Sequence, residues 1–352
     1  MKNNIFLSAL SSQLLKNETL KTVAPFFSSC KKEEQKYSEE IQTLKNNFDE
    51  YYNTTIAPVC DEQEKIRLYY LNIFKNYRLS IIIFFLTIIL LFAKKIFLAI
   101  CVNPSSVLFA MPLIVAFVWL ILSIPSKQYA RIHKTNILSL FMQYFESFSY
   151  IYKNHIDIET LNNSMTFHEL TNIKGDDYFK GNYKGVEIII SEFEANSKYK
   201  RFGSTKINNE QKTCILLNMN KNFTGTTAGI LHFEEIPVKI LNSLEKINLE
   251  DVVFDKIWNI FSNCQVEARY VLTTALMERI LHLKSFYGNC PINFSFFNNK
   301  LLLCLNVTEN MFETASLFKP AENKKNICNA LEQILSIFSI VDILKLNKKI
   351  GM

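Results

Sequence analysis

Residues 79–93 read LSIIIFFLTIILLFA, fifteen positions without a charge. At 1.5 Å per residue such a helix reaches only about 22 Å, short of the roughly 30 Å hydrocarbon core of a bilayer. Lys94 and Lys95 follow, and IFLAICV continues the apolar run to Val102. A helix over residues 79–102 therefore spans the core, with the two lysines snorkelling toward the far interface. Asn103-Pro104-Ser105-Ser106 reads as a turn. Residues 107–124, VLFAMPLIVAFVWLILSI, are a second uncharged run of 18. Pro112 within it is tolerated in a membrane helix, and Pro125 closes it. The pair predicts a transmembrane hairpin over residues 78–126.

Charge beside the spans predicts orientation. Lys65, Arg67, Lys75 and Arg78 precede the first run, and Lys127, Arg131 and Lys134 follow the second. Only Lys94 and Lys95 lie between them. The positive-inside rule puts both termini in the cytoplasm. The N-terminal stretch MKNNIFLSALSSQLLKN has an apolar core, residues 5–10, interrupted by Ser8 and too short for a cleaved signal.

Upstream, residues 1–77 read as a helical cytoplasmic arm. Tyr37, Ile41, Leu44 and Phe48 fall on one face of an amphipathic helix, which Ala57-Pro58 interrupts. The arm packs on the later domain or on a second copy of the chain. Downstream, residues 127–352 read as a mixed α+β domain. NILSLFMQYFESFSYIY continues as a helix leaving the membrane. DYFKGNYKGVEIIISEFEAN reads as a hairpin turning at Lys184-Gly185, and TCILLNMNKNF as a further strand. INFSFFNNKLLLCLNV reads as a hairpin turning at Asn298-Asn299. LEDVVFDKIWNIFSN is read as a short helix. The tail, with Ile327, Leu331, Ile334, Leu335, Phe338, Val341 and Leu344, makes an amphipathic helix that packs on the domain or a partner, or lies on the membrane. The fold class expected is an α+β membrane protein: helical N-terminal arm, two-helix transmembrane hairpin and C-terminal α+β domain.

The chemistry-bearing residues concentrate in QVEARYVLTTALMERI, residues 265–280. Glu267, Arg269, Tyr270, Glu278, Arg279 and, just beyond, His282 form a candidate cluster. Thr273 is a plausible N-cap for the helix that follows, on which Glu278 and His282, four apart, share a side. A Glu267–Arg269 pair would brace the junction of two helices, although Arg269 also reaches an acid in Leu249-Glu250-Asp251. No nucleophile elbow, phosphate loop or HExxH accompanies the cluster, and TGTTAG at residues 224–229 lacks a P-loop's lysine and spacing. No catalytic, cofactor-binding or metal residue is assigned. The 8 cysteines contain no CxxC and read as free thiols of a reducing compartment. The net charge of +6 is spread along the chain, which argues against a nucleic-acid surface.

Leu249-Glu250-Asp251, Phe254, Glu267-Ala268-Arg269-Tyr270, Leu272-Thr273 and Met277-Glu278-Arg279, followed by INFSFFNNKLLLCL, resemble the bacterial family called domain of unknown function 3137. The resemblance runs from about residue 69 to 346 and is specific over 248–313. It implies a helical arm, two adjacent spans and a mixed soluble domain, but no reaction. Two departures stand out: Asn263-Cys264 where the family usually has an acid, and Thr274 where it often has Pro. The function expected is a non-catalytic, membrane-tethered interaction or scaffold module, whose partners are the bilayer and another protein or a second copy. The alternative is a membrane-associated enzyme or ligand-binding domain using the Glu267–His282 region. Two uncharged spans offer no ion path, which disfavours a channel or transporter.

Overall fold

The computed structural model describes residues 38–102, 104–201, 204–286, 290–305, 311–313, 316–321 and 324–347. Tyr37 and the N-terminal stretch lie outside them, as does Asn103. The architecture is α+β: helices at the N-terminus, then an antiparallel sheet with further helices around it.

Helix α1 spans Glu39–Tyr51 and buries Ile41 and Phe48. It passes through a π-helical turn, Tyr52–Ile56, into α2, Ala57–Val102. The helical path is thus not interrupted at Ala57-Pro58, as the sequence suggested. Pro58 has no N–H to give, so the preceding turn widens to i→i+5 bonding and the chain continues. Phe92 (φ −118°, ψ 15°) kinks α2 just before Lys94. Helix α3 spans Pro104–Gln143, so Pro104–Ser106 belong to its first turn rather than to a loop. Proline in a first helical turn loses no intrahelical bond.

Both long helices change character along their length. Their adjoining apolar stretches are exposed, with Leu90 at 83% and Leu113 at 74%. Their far ends carry core side chains: Tyr52 and Ile56 of the π-helical turn with Cys60 of α2, and Tyr129, Ile137, Phe141 and Met142 of α3, are buried. Tyr51 OH donates to Leu140 O at 2.8 Å and Tyr144 OH to Leu44 O, tying the arm to α3.

Nine strands form one antiparallel sheet in the order β1-β2-β3-β4-β9-β8-β5-β7-β6. They are β1 Ser149–Tyr152, β2 Glu169–Tyr183, β3 Val186–Arg201, β4 Ser204–Asn218, β5 Thr227–Leu231, β6 Glu245–Ile247, β7 Trp258–Ser262, β8 Ile292–Phe297 and β9 Lys300–Leu305. Both expected hairpins form. Lys184 and Gly185 (φ 52° and 81°) turn β2 into β3, and Asn298 and Asn299 (φ 47° and 60°) turn β8 into β9. Two successive positive φ values match the strands' twist in two-residue turns. The central strands β5, β7 and β8 are buried at every position, because helices and loops cover both faces. KIWNIFSN is accordingly a strand from Trp258 onward, and only Val252–Asp255 (α6) of the expected helix is helical.

The short helices α4 (Ile158–Asn163) and α5 (Val238–Ser243) lie along the chain before β2 and β6. Helix α7 is Gln265–Val271, α8 is Thr274–Phe286 and α9 is Lys324–Leu344. Thr273 caps α8 as expected, its hydroxyl accepting from Leu276 N. Helix α9 is long and apolar enough to cross a membrane by length and composition, as are the helical stretches Glu39–Ala93 and Met111–Gln143. Yet α9 buries Ile327, Leu331, Ile334, Phe338 and Val341 in the main core. Tyr183 stacks on Phe338 at 4.4 Å, and Lys184 reaches Asp342 at 2.7 Å.

Candidate functional site

The six residues singled out in the sequence do not converge; each faces a different neighbour. Glu267 accepts from the backbone N–H groups of Thr224 and Gly225, holding the TGTTAG turn. Asn263 Oδ1 accepts from Thr226 N at 2.9 Å beside it, filling an acceptor position with an amide rather than an acid. Arg269 is 51% exposed and its nearest acid is Glu250, at 3.8 Å. The expected Glu267–Arg269 brace is therefore absent, since successive positions two apart on α7 point to different sides of the helix. Tyr270 lies under the ammonium of Lys221 at 5.0 Å. Arg279 reaches Leu344 O, at the end of α9, at 3.4 Å. Glu278 and His282 stand exposed on α8.

A different set of titratable groups does converge, beneath the end of α3 that lies against the sheet. Between Gly175 and Tyr178 the register of β2 slips, so that Asp176 and Asp177 together oppose Glu192 of β3. Two residues facing one is a β-bulge, which bends the strand and re-aims side chains. Gly175 makes the bend possible: a Cβ there would sit 2.3 Å from Asn154 O. Asp177 and Glu192 are buried. Lys134, on α3, donates to Asp177 Oδ2 at 2.9 Å and lies 3.4 Å from both Asp176 and Glu313. Tyr150 OH donates to Asp177 Oδ1 at 2.7 Å. Thr213 Oγ1 and Met311 N donate to Glu192 Oε1 at 3.2 and 2.9 Å. The other oxygen, Oε2, is buried with no hydrogen-bond partner among the described residues.

Asp177 and Glu192, the two buried carboxylates of the cluster, cannot both ionise cheaply away from water. Burial pushes Glu192 up to about 7, although Met311 N–H and Thr213 pull the other way. Burial raises Asp177 to about 6, opposed by Lys134 and assisted by Asp176. For Lys134, burial works against the charge, but Asp177, Glu313 and Asp176 outweigh it and keep the lysine protonated. Tyr150 is raised by burial and by Asp177, so it stays a donor. A bare buried oxygen on Glu192 fits a carboxyl that holds a proton near neutral pH. Asp176, Asp177 and Glu192 each bring one oxygen within 4.8 Å of the others, a hard-donor set that suits Mg²⁺ or Ca²⁺. The Lys134 ammonium already lies among these acids as their counter-ion.

On the sheet's other face, near α4, a cavity of about 250 Å³ is lined by His168, Glu210, Lys212, Glu234, Glu235 and Asn293. Lys212 bonds Glu210 at 2.7 Å and Asn293 Nδ2 bonds Glu234 at 2.6 Å, so these groups serve one another.

The sequence reading missed the bulge cluster because its members come from α3, β1, β2, β3 and β4. One signal was available: KGDDYF puts a glycine and two acids inside a strand pattern, the composition of a bulge.

Residues 213–346 match the family model described as protein of unknown function, DUF3137. Over this region the chain is similar to the DUF3137 family. It covers β4 to α9, and so includes Thr213 and Met311 but not Lys134, Asp177 or Glu192. Among solved structures, the chain is similar to the mycobacterial trehalose monomycolate transport factor A, TtfA, at 13% identity with a TM-score of 0.34. That likeness covers 61% of this chain and 95% of the other. No curated protein matches the sequence.

Proposed function

We propose that this chain is a membrane-anchored interaction module of the bacterial cytoplasmic membrane, without catalysis of its own, whose arm and sheet domain face the cytoplasm. The observation that carries this is the continuity of α2 and α3. Each runs without a loop from an exposed apolar half into the buried core. Exposed apolar surface on this scale is stable only against lipid or protein. The domain is then fixed at the bilayer by two rigid helices rather than hung on a linker.

The surface offered to a partner lies at the sheet's β6–β7 side. Val252 and Val253 of α6, and Val266 and Tyr270 of α7, are exposed, with Val266 at 79%. The Arg269–Glu250 contact links the two segments. The enzymatic alternative at Glu267–His282 has less support: Glu267 is occupied by backbone amides, and Glu278 and His282 stand in solvent.

The test is a photo-crosslinking amino acid at position 266 in the full chain, in its own membrane, followed by native mass spectrometry of gently extracted protein. A discrete adduct, with a second copy or another protein, is expected. A membrane-embedded monomer that yields no adduct and carries a small-molecule mass would overturn the reading in favour of ligand binding.

A further inference from the structure

Residues 316–321 are held against α2 by a charged clamp. Arg67 and Glu64, three apart on α2, pair through two contacts: Nε to Oε2 at 2.8 Å and Nη2 to Oε1 at 2.6 Å. The remaining guanidinium nitrogen, Nη1, donates to Leu317 O at 2.8 Å. Ala321 N donates to Glu64 Oε2, also at 2.8 Å. The hydrogen bond from Arg67 holds Glu64 below the usual carboxylate range. The clamp buries Leu317 and Ala321 yet leaves Phe318, between them, 63% exposed. Its ring meets Phe74 of α2 edge-on, 5.2 Å away. A segment fixed this firmly has the means to bury a phenylalanine, and it holds this one out.

The position of Phe74 says what covers it. Phe74 lies five residues before Leu79, where the uncharged run begins. That is about 7.5 Å along the helix. The polar layer of a bilayer extends about 5–7.5 Å beyond the hydrocarbon on each side, so this height is its outer edge. Phe74, and Phe318 beside it, therefore fall at the level of the headgroups. Lys75, Tyr77 and Arg78, all exposed, share that level, and Lys319 follows Phe318 directly. Aromatic and basic side chains together are the composition of an interfacial anchor on an anionic leaflet.

We propose that residues 316–321 are a third membrane contact, in which Phe318 and Lys319 enter the headgroup layer beside α2. The occupant is the lipid surface, because the loop is continuous in height with the start of the apolar run. This rests on the membrane-anchored reading above. The contact joins the sheet domain itself to the bilayer and fixes how the domain tilts about the two helices.

The experiment uses the full chain in phosphatidylethanolamine–phosphatidylglycerol vesicles whose acyl chains carry bromine near the headgroup or near the chain end. Trp119 reports on the second apolar run. Trp258, buried with its Nε1 donating to Ile292 O, is a silent background. In the double variant Trp119→Phe, Phe318→Trp, emission is expected to fall with shallow bromine and to persist with deep bromine. If Trp119 of the unaltered chain is quenched but the indole introduced at position 318 is not, the loop proposal fails and the membrane reading stands. If neither is quenched, both fail.

Discussion

Glu192 sits away from water, and its titration has a sign opposite to that of a salt-bridged acid. Its value near 7 and that of Asp177 near 6 both lie above the ordinary 4.5 and 3.8. Between those limits the folded chain binds more protons than the unfolded one. Stability is then greatest below about pH 4 to 5 for these groups and is lost as pH rises through 6 to 7. For Glu192 alone the loss is on the order of 3 kcal/mol. Urea unfolding of the detergent-solubilised chain should therefore give a difference between unaltered protein and Glu192→Gln that grows from pH 5 to pH 8. A difference independent of pH would mean that Glu192 is ionised throughout. Lys134 is the complement. Lys134→Met leaves Asp177 buried beside other acids, and should cost about 3–5 kcal/mol at pH 8 and less at pH 5. Arg269→Ala, by contrast, removes an exposed contact and should change stability by no more than about 0.5 kcal/mol.

At the scale of elements, the helix α7 and the turn at Thr224-Gly225 are joined by one side chain. Glu267→Ala strips acceptors from two backbone N–H groups and should cost about 1–2 kcal/mol, measured by the same unfolding. Hydrogen exchange should quicken at Gly225 first. What was legible in sequence at this scale were features set by neighbours in the chain. Lys184-Gly185 and Asn298-Asn299 announce two-residue turns because few residues tolerate positive φ in succession. Ile41, Leu44 and Phe48 announce a helix face through their spacing, and Thr273 announces a cap. The strands β5 and β7 were illegible because they are buried on both faces and carry no alternation, β6 because it is three residues long, and β1 because its four residues, SYIY, were read as the end of the preceding helix. The Asp177–Glu192–Lys134 cluster was illegible for a related reason: a bulge is a property of a strand pair, and its third member arrives on a helix some forty residues away. In the QVEARY stretch the residue types were visible but their partners were not. Glu267 bonds across 42 residues to Gly225, not to its near neighbour Arg269.

For the whole molecule, orientation is the property on which the others depend. Seven lysines and arginines flank the two apolar runs on the side that joins the domain, against Lys94 and Lys95 on the other. The structure uses two of the seven internally: Arg67 clamps residues 316–321 and Lys134 sits among buried acids. On the membrane-anchored reading proposed above, Lys65, Lys75, Arg78, Lys127 and Arg131 remain even with both set aside, enough to bias that side toward the cytoplasm. Alkaline phosphatase fused at the C-terminus should be inactive and green fluorescent protein there should fluoresce, whereas phosphatase inserted at Asn103 should be active. Active phosphatase at the C-terminus would reverse the topology. It would put the Asp177–Glu192 pair on the outside, where its protonation would follow the medium instead of the cytoplasm.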